Sequence, residues 1–154
     1  MVRTKVGTDI VQSPLKCKIR LDFRGVSKPG RLFFGSRSAE EIAEEVREQQ
    51  ISLLQNVPLQ GTVIEQVDMS LPVYSLYDDL LGCEVAYAPA IITVTAETVE
   101  DLVRFIAREE FRTVEIVAPD NVLLTRVELE RFLFRLSEEV NRRLQALERK
   151  YQMK

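Results

Sequence analysis

The chain has 154 residues, 45% of them apolar and 29% charged, with a net charge of −3 and no histidine. That is length and apolar content enough for one domain with its own core, held without disulfides or metal. The missing histidines exclude Ser-His-Asp and Cys-His triads, imidazole acid–base chemistry and the commonest metal ligand.

The charge is segregated along the chain. Residues 1–37 carry +7 and residues 38–47 carry −3; residues 48–103 carry −9 without a single Lys or Arg, and residues 104–154 carry +2. Either opposite surfaces meet within the fold or between subunits, or the basic block meets an anionic partner.

Residues 1–14 form a mixed segment expected to be loosely ordered, with Val2, Val6, Ile10 and Val11 available to add a strand on docking. Leu15 to Arg24 then alternates without a slip. Leu15, Cys17, Ile19, Leu21 and Phe23 take one phase; Lys16, Lys18, Arg20, Asp22 and Arg24 take the other. Side chains on a strand point to opposite faces in turn, so this strand has one oily and one cationic face. Gly25 to Gly30 reads as a turn, and residues 31–35 as the return strand of a hairpin.

Ser38 and Glu41 make a capping-box pattern that opens a helix over 39–55. Thr62–Val67 suits a strand, and residues 68–82 have no clear pattern. Cys83–Tyr87 and Ile91–Thr95 read as two strands separated by Ala88-Pro89-Ala90. Thr98 and Asp101 cap a second helix to about Glu110, and Arg112–Ala118 is a further strand. Residues 91–118 thus form a strand–helix–strand unit, expected to be a parallel right-handed crossover. Thr125 and Glu128 cap a last helix from Arg126 to about Tyr151. Its first half, with Leu129, Phe132, Leu133, Phe134 and Leu136, is apolar on several sides and expected to be deeply buried. Its second half keeps only a single apolar stripe.

The fold class is α+β. We expect a two-layer sandwich with a mixed sheet (an N-terminal hairpin plus the later strand–helix–strand unit) and helices on one face. A ferredoxin-like arrangement is the leading specific topology, and the long C-terminal helix is added to it. The domain would span 15–136, with 137–154 a helical extension for oligomerisation.

Four groups of residues are candidate sites. The cationic stripe Lys16, Lys18, Arg20 and Arg24, extended by Lys28 and Arg31, could track phosphates, meet an acidic protein surface, or simply solvate a sheet face. No aromatic residue is expected to interleave with the bases on that face, and the sequence pI is about 5.2, so nucleic acid ranks below protein. Gly35 to Ser38, with Arg37, could hold an anion at a helix start, though it matches no phosphate-binding fingerprint. Asp78, Asp79 and Glu84 could ligate a hard cation but lack calcium-loop spacing; Tyr74, Tyr77 and Tyr87 could line a pocket nearby. In the last helix, Val140, Leu144, Leu147 and Tyr151 form an apolar stripe that antiparallel packing of a second copy would cover. Cys17 and Cys83 read as reduced, buried thiols.

No catalytic constellation, metal set or cofactor is called for. The expectation is a non-catalytic assembly or regulatory protein that works through protein–protein contacts as a homodimer. A nucleic-acid-binding module using the basic hairpin is the alternative, and a small-ligand regulatory domain the second. With no apolar run in residues 1–14 and no stretch near the ~18 apolar residues of a membrane span, the expected location is cytoplasmic.

Overall fold

A computed structural model of the chain describes residues 1–27 and 37–153. The expected return strand at 31–35, Lys28 and Arg31 lie outside the described residues. The elements are β1 (Val2–Val6), β2 (Asp9–Ser13), β3 (Leu15–Val26), α1 (Ala39–Asn56), β4 (Thr62–Asp68), β5 (Tyr74–Asp78), β6 (Cys83–Ala96), a 3-10 turn (Glu100–Leu102), α2 (Val103–Ile106), β7 (Phe111–Ala118) and α3 (Arg126–Gln152).

The protein is α+β. The main sheet has the order β4-β6-β3-β7, with β5 paired to the other half of β6, and β1-β2 is a separate hairpin. Every pairing is antiparallel, which corrects the expected mixed sheet. β6 and β7 do run parallel, but β3 lies between them. The units β3-α1-β4 and β6-α2-β7 interleave in the split β-α-β manner of a ferredoxin-like arrangement.

The odd residues of β3 face the helices. Cys17, Ile19, Leu21 and Phe23 are fully buried, as are Ile92 and Val94 across the ladder on β6. α1 closes this core with Ala43 and Ile51, and its start rests on a patch of small residues, Ala39, Ala43, Ala86 and Ala88. Gly25 allows that close approach: a Cβ there would lie 2.3 Å from Ala39 O and from Ala43 N.

Four local expectations are corrected. Residues 2–13 are an ordered hairpin turning at Gly7 (φ 62°) rather than a loose segment. Asn121 pins it: its Oδ1 accepts from Lys5 N at 2.7 Å and Thr4 Oγ1 at 3.0 Å, while its Nδ2 donates to Lys5 O. Second, β6 runs unbroken through Pro89. No strand faces Pro89 on the β4/β5 side, so its missing N–H is not needed, and its carbonyl accepts from Arg47 Nη1 at 3.1 Å.

Third, the helix expected over 98–110 shrinks to the 3-10 turn and α2. Asp22 N already donates to Glu110 O at 2.8 Å, so the sheet claims the residue where that helix would end. Fourth, α3 has no buried residue, and Phe134 is 65% exposed. The layer above the sheet is held by α1 and α2, and α3 docks on the 3-10 turn and α2 from the side.

Gly25→Ala should cost at least about 2 kcal/mol, because its methyl meets backbone that cannot turn away. Urea unfolding would check this; an unchanged midpoint would contradict the close approach of α1.

Candidate interaction surface

The even residues of β3 face away from the helices, and three of the described cations of the stripe, Lys16, Arg20 and Arg24, are ion-paired within the chain. Lys16 Nζ lies 3.0 Å from Glu65 Oε2. Arg20 grips Asp22 through Nε at 2.9 Å and Nη2 at 3.2 Å, and Arg24 lies 3.6 Å from Asp78. Lys18 stands across from Glu115 on β7 and helps to lower the carboxyl of Asp68, after the larger effect of the Ser70 hydrogen bonds. Arg37, at the start of α1, pairs with Glu45. Glu65, Asp68 and Asp78 all belong to the acidic 48–103 block, so the two charged blocks meet within one chain.

Asp22 is the hub of this face, and its being the lone acid among the even residues of β3 is the one local signal that could have found it. It is 2% exposed, receives the Tyr74 hydroxyl at 2.6 Å, and has Arg112 Nε at 3.6 Å beside the Arg20 fork. Burial first, and then the hydrogen bond to Asp22, raises the Tyr74 hydroxyl pKa. Tyr74 stacks on Tyr87 with centroids 5.3 Å apart, and the Arg112 guanidinium sits 5.4 Å from the Tyr87 centroid. Aromatics therefore do share the cationic face, contrary to expectation. They come from β5 and β6, and only the cross-strand register could have shown it. Both rings are engaged with each other, Tyr87 also with Arg112, rather than presented for base stacking.

The charge on this face balances: Asp22, Glu65, Asp68, Asp78 and Glu115 stand among Lys16, Lys18, Arg20, Arg24 and Arg112. Most pairs are exposed and individually weak. Among the described residues they together leave little free positive charge on this face for a polyanion.

Of the remaining candidates, Gly35 and Ser36 lie outside the described residues. Ser38 is spent on the capping box with Glu41. Asp78 Oδ1 accepts from Leu80 N and Leu81 N, closing the turn before Gly82. Among the described residues, no three acids or cysteines are placed to hold a metal ion. Tyr77 is exposed. Cys17 and Cys83 are free; Cys17 is fully buried, and burial pushes its thiol up to about 11, whereas Cys83 is only partly covered.

The second surface lies on α3. Thr125 and Glu128 close a full capping box, and Arg3 Nη2 donates to the same Glu128 carboxylate at 2.6 Å, tying the N-terminal hairpin to this helix. The face turned to the body consists of Glu128, Phe132, Arg135, Leu136, Glu139 and Arg143, all half-buried. Polar arms do much of the docking: Arg143 donates to Ala107 O at 2.9 Å and to Glu109 at 3.1 Å. Val140, Leu144, Leu147 and Tyr151 lie about 90° around the helix from that face, at about 100° per residue. They are 45%, 53%, 40% and 76% exposed.

No protein-family model, no curated protein and no solved structure matches this chain.

Asp22→Asn should destabilise by about 2–3 kcal/mol. That is less than a fully buried pair would lose, because both arginines are more than a third exposed. Equal urea midpoints for the two proteins would remove Asp22 from its role as hub. Acid should also weaken the fold. Glu65, chiefly through Thr95, and Glu128, chiefly through Thr125 N–H, are held below their ordinary 4.5. Their contribution is complete above about pH 4.5 and is lost as pH falls through the lowered folded values. The double variant Glu65→Gln/Glu128→Gln should flatten that acid limb in pH-dependent thermal melts, and an equally steep limb would refute it.

Proposed function

We propose that this protein is a non-catalytic assembly or regulatory component that works through protein–protein contact, its first partner being a second copy of itself. The observation that carries this reading is α3: 27 residues with none buried, docked along one face and apolar along another. Contiguous exposed apolar surface of this kind is a feature of interaction sites.

The stripe fits a copy of itself. Leu129, Leu133, Val140, Leu144, Leu147 and Tyr151, all exposed, follow one side of the helix over its whole length at steps of 4, 7, 4, 3 and 4 residues. Two copies in opposite directions therefore set apolar against apolar along the whole stripe, as an isologous contact requires. Charge favours that direction over the parallel one. Residues 140–152 hold Arg142, Arg143, Arg149 and Lys150 against Glu148 alone, a net +3, whereas residues 126–139 carry net −1. Antiparallel pairing sets the two halves against each other and also opposes the helix dipoles.

The paired charges of the β3 face favour protein contact over nucleic acid. Two free cysteines, one of them fully buried, accord with a cytoplasmic setting.

Light scattering at ~100 μM should give the mass of a dimer, and Leu144→Glu/Leu147→Glu should give the monomer. Losing two buried leucines from each copy costs several kcal/mol, and each ~1.4 kcal/mol is tenfold in affinity. Both positions are exposed in the single chain, so the variant should keep its circular dichroism and melting temperature. A monomeric wild type at that concentration would overturn the proposal.

A further inference from the structure

The helix layer is incomplete over β7. Its Val114 stands across from Ile19 and its Ile116 across from Cys17, so both face the side on which the helices lie. Ile19 and Cys17 are fully buried, whereas Val114 is 38% and Ile116 46% exposed. The cause is the short link between β6 and β7: a three-residue 3-10 turn and a four-residue α2 replace a helix long enough to roof the edge strand. α3 does not close the roof either, since Val114 and Ile116 stay exposed with α3 docked on that turn and on α2.

α2 contacts both β7 and α3, so the bare side of β7 and the helix that carries the exposed stripe border the same short helical link. We infer that one partner covers both: the α3 helix of a second copy packs along the α3 stripe and over Val114 and Ile116, completing the helix layer that this chain leaves open. The inference rests on the self-association proposed above and extends it to a second element. The occupant is a second copy because the apolar stripe and the opposed charge halves of α3 match α3 itself. By two-fold symmetry each copy would give its helix and receive the other.

The test places a reporter on β7. Val114→Cys, across from Ile19 rather than from Cys17, in a Cys83→Ser background leaves one accessible thiol, since Cys17 is fully buried. Its alkylation rate is compared with that of the same protein carrying Leu144→Glu/Leu147→Glu, the mass of each being read by light scattering. Labelling at least about fivefold slower in the dimer than in the monomeric variant is expected, because a covered side chain reacts only on opening or dissociation. A dimer by mass whose introduced thiol labels as fast as the monomer's would overturn the role of β7 and leave the α3 contact standing. A monomer by mass in the wild type would remove both. As a second measurement, Val114→Lys should raise the dimer dissociation constant at least about tenfold without lowering the monomer's melting temperature; an unchanged constant overturns the inference.

Discussion

The strict alternation of β3 is the constraint on which the rest of the molecule depends. This strand is paired on both sides, over its full twelve residues with β6 and over half of them with β7. A shift of one residue would drive Lys16, Lys18, Arg20 and Arg24 into the core and expose Ile19, Leu21 and Phe23, so the register is fixed by burial alone. The same alternation sets a row of cations on the opposite face, across which like charges would repel. Acids of β4 and β5 and the buried Asp22 on β3 itself answer that row. Asp22 is tolerable at 2% exposure only because two guanidinium groups and a tyrosine hydroxyl take the place of water around it.

The helix side is governed by side-chain size rather than charge. Gly25, Ala39, Ala43, Ala86 and Ala88 let the start of α1 approach β3 and β6 closely. The link from β6 to β7 is too short to do the same for the edge strand. The layer is thus dense over the centre of the sheet and open over β7, and α3 arrives where one of its faces can dock and another cannot. The open flank and the exposed helix stripe are one consequence of that uneven layer.

What could be read in the sequence was whatever is local. The period of two in β3 and the capping boxes Ser38/Glu41 and Thr125/Glu128 placed three elements within a few residues, because each signal is carried by residues that touch one another in the chain. Pro89 suggested a break, but neither β4 nor β5 pairs with residues 88–90, so its missing N–H is not needed, a fact of register that no local pattern shows. The helix over 98–110 had its apolar spacing but lost its last turns to the hydrogen bond between Asp22 and Glu110. The N-terminal hairpin had no alternating apolar face to announce it; it is held by Asn121, which no pattern near residues 2–13 could reveal. The cationic stripe was legible and its partners were not, because Glu65, Asp78 and Arg112 reach it through register. In α3 the apolar residues were visible, but a wheel of residues cannot say which of its faces a fold will cover.

The form of α3 itself bears on its partner. A helix in water draws most of its stability from packing an apolar face, and an isolated helix of fewer than ~12–15 residues is marginal. Here the last hydrogen bonds to the body are those of Arg143, leaving about nine residues that carry Leu144, Leu147 and Tyr151, all three exposed. The side turned to the body is held largely by arginine and glutamate arms, which contribute little when exposed. The helix thus docks through a mainly polar face, with Phe132 and Leu136 as its apolar members, and keeps its other large apolar residues outward. Burial of the stripe by an antiparallel copy would give the last turns apolar contact, and would couple the order of the helix end to assembly.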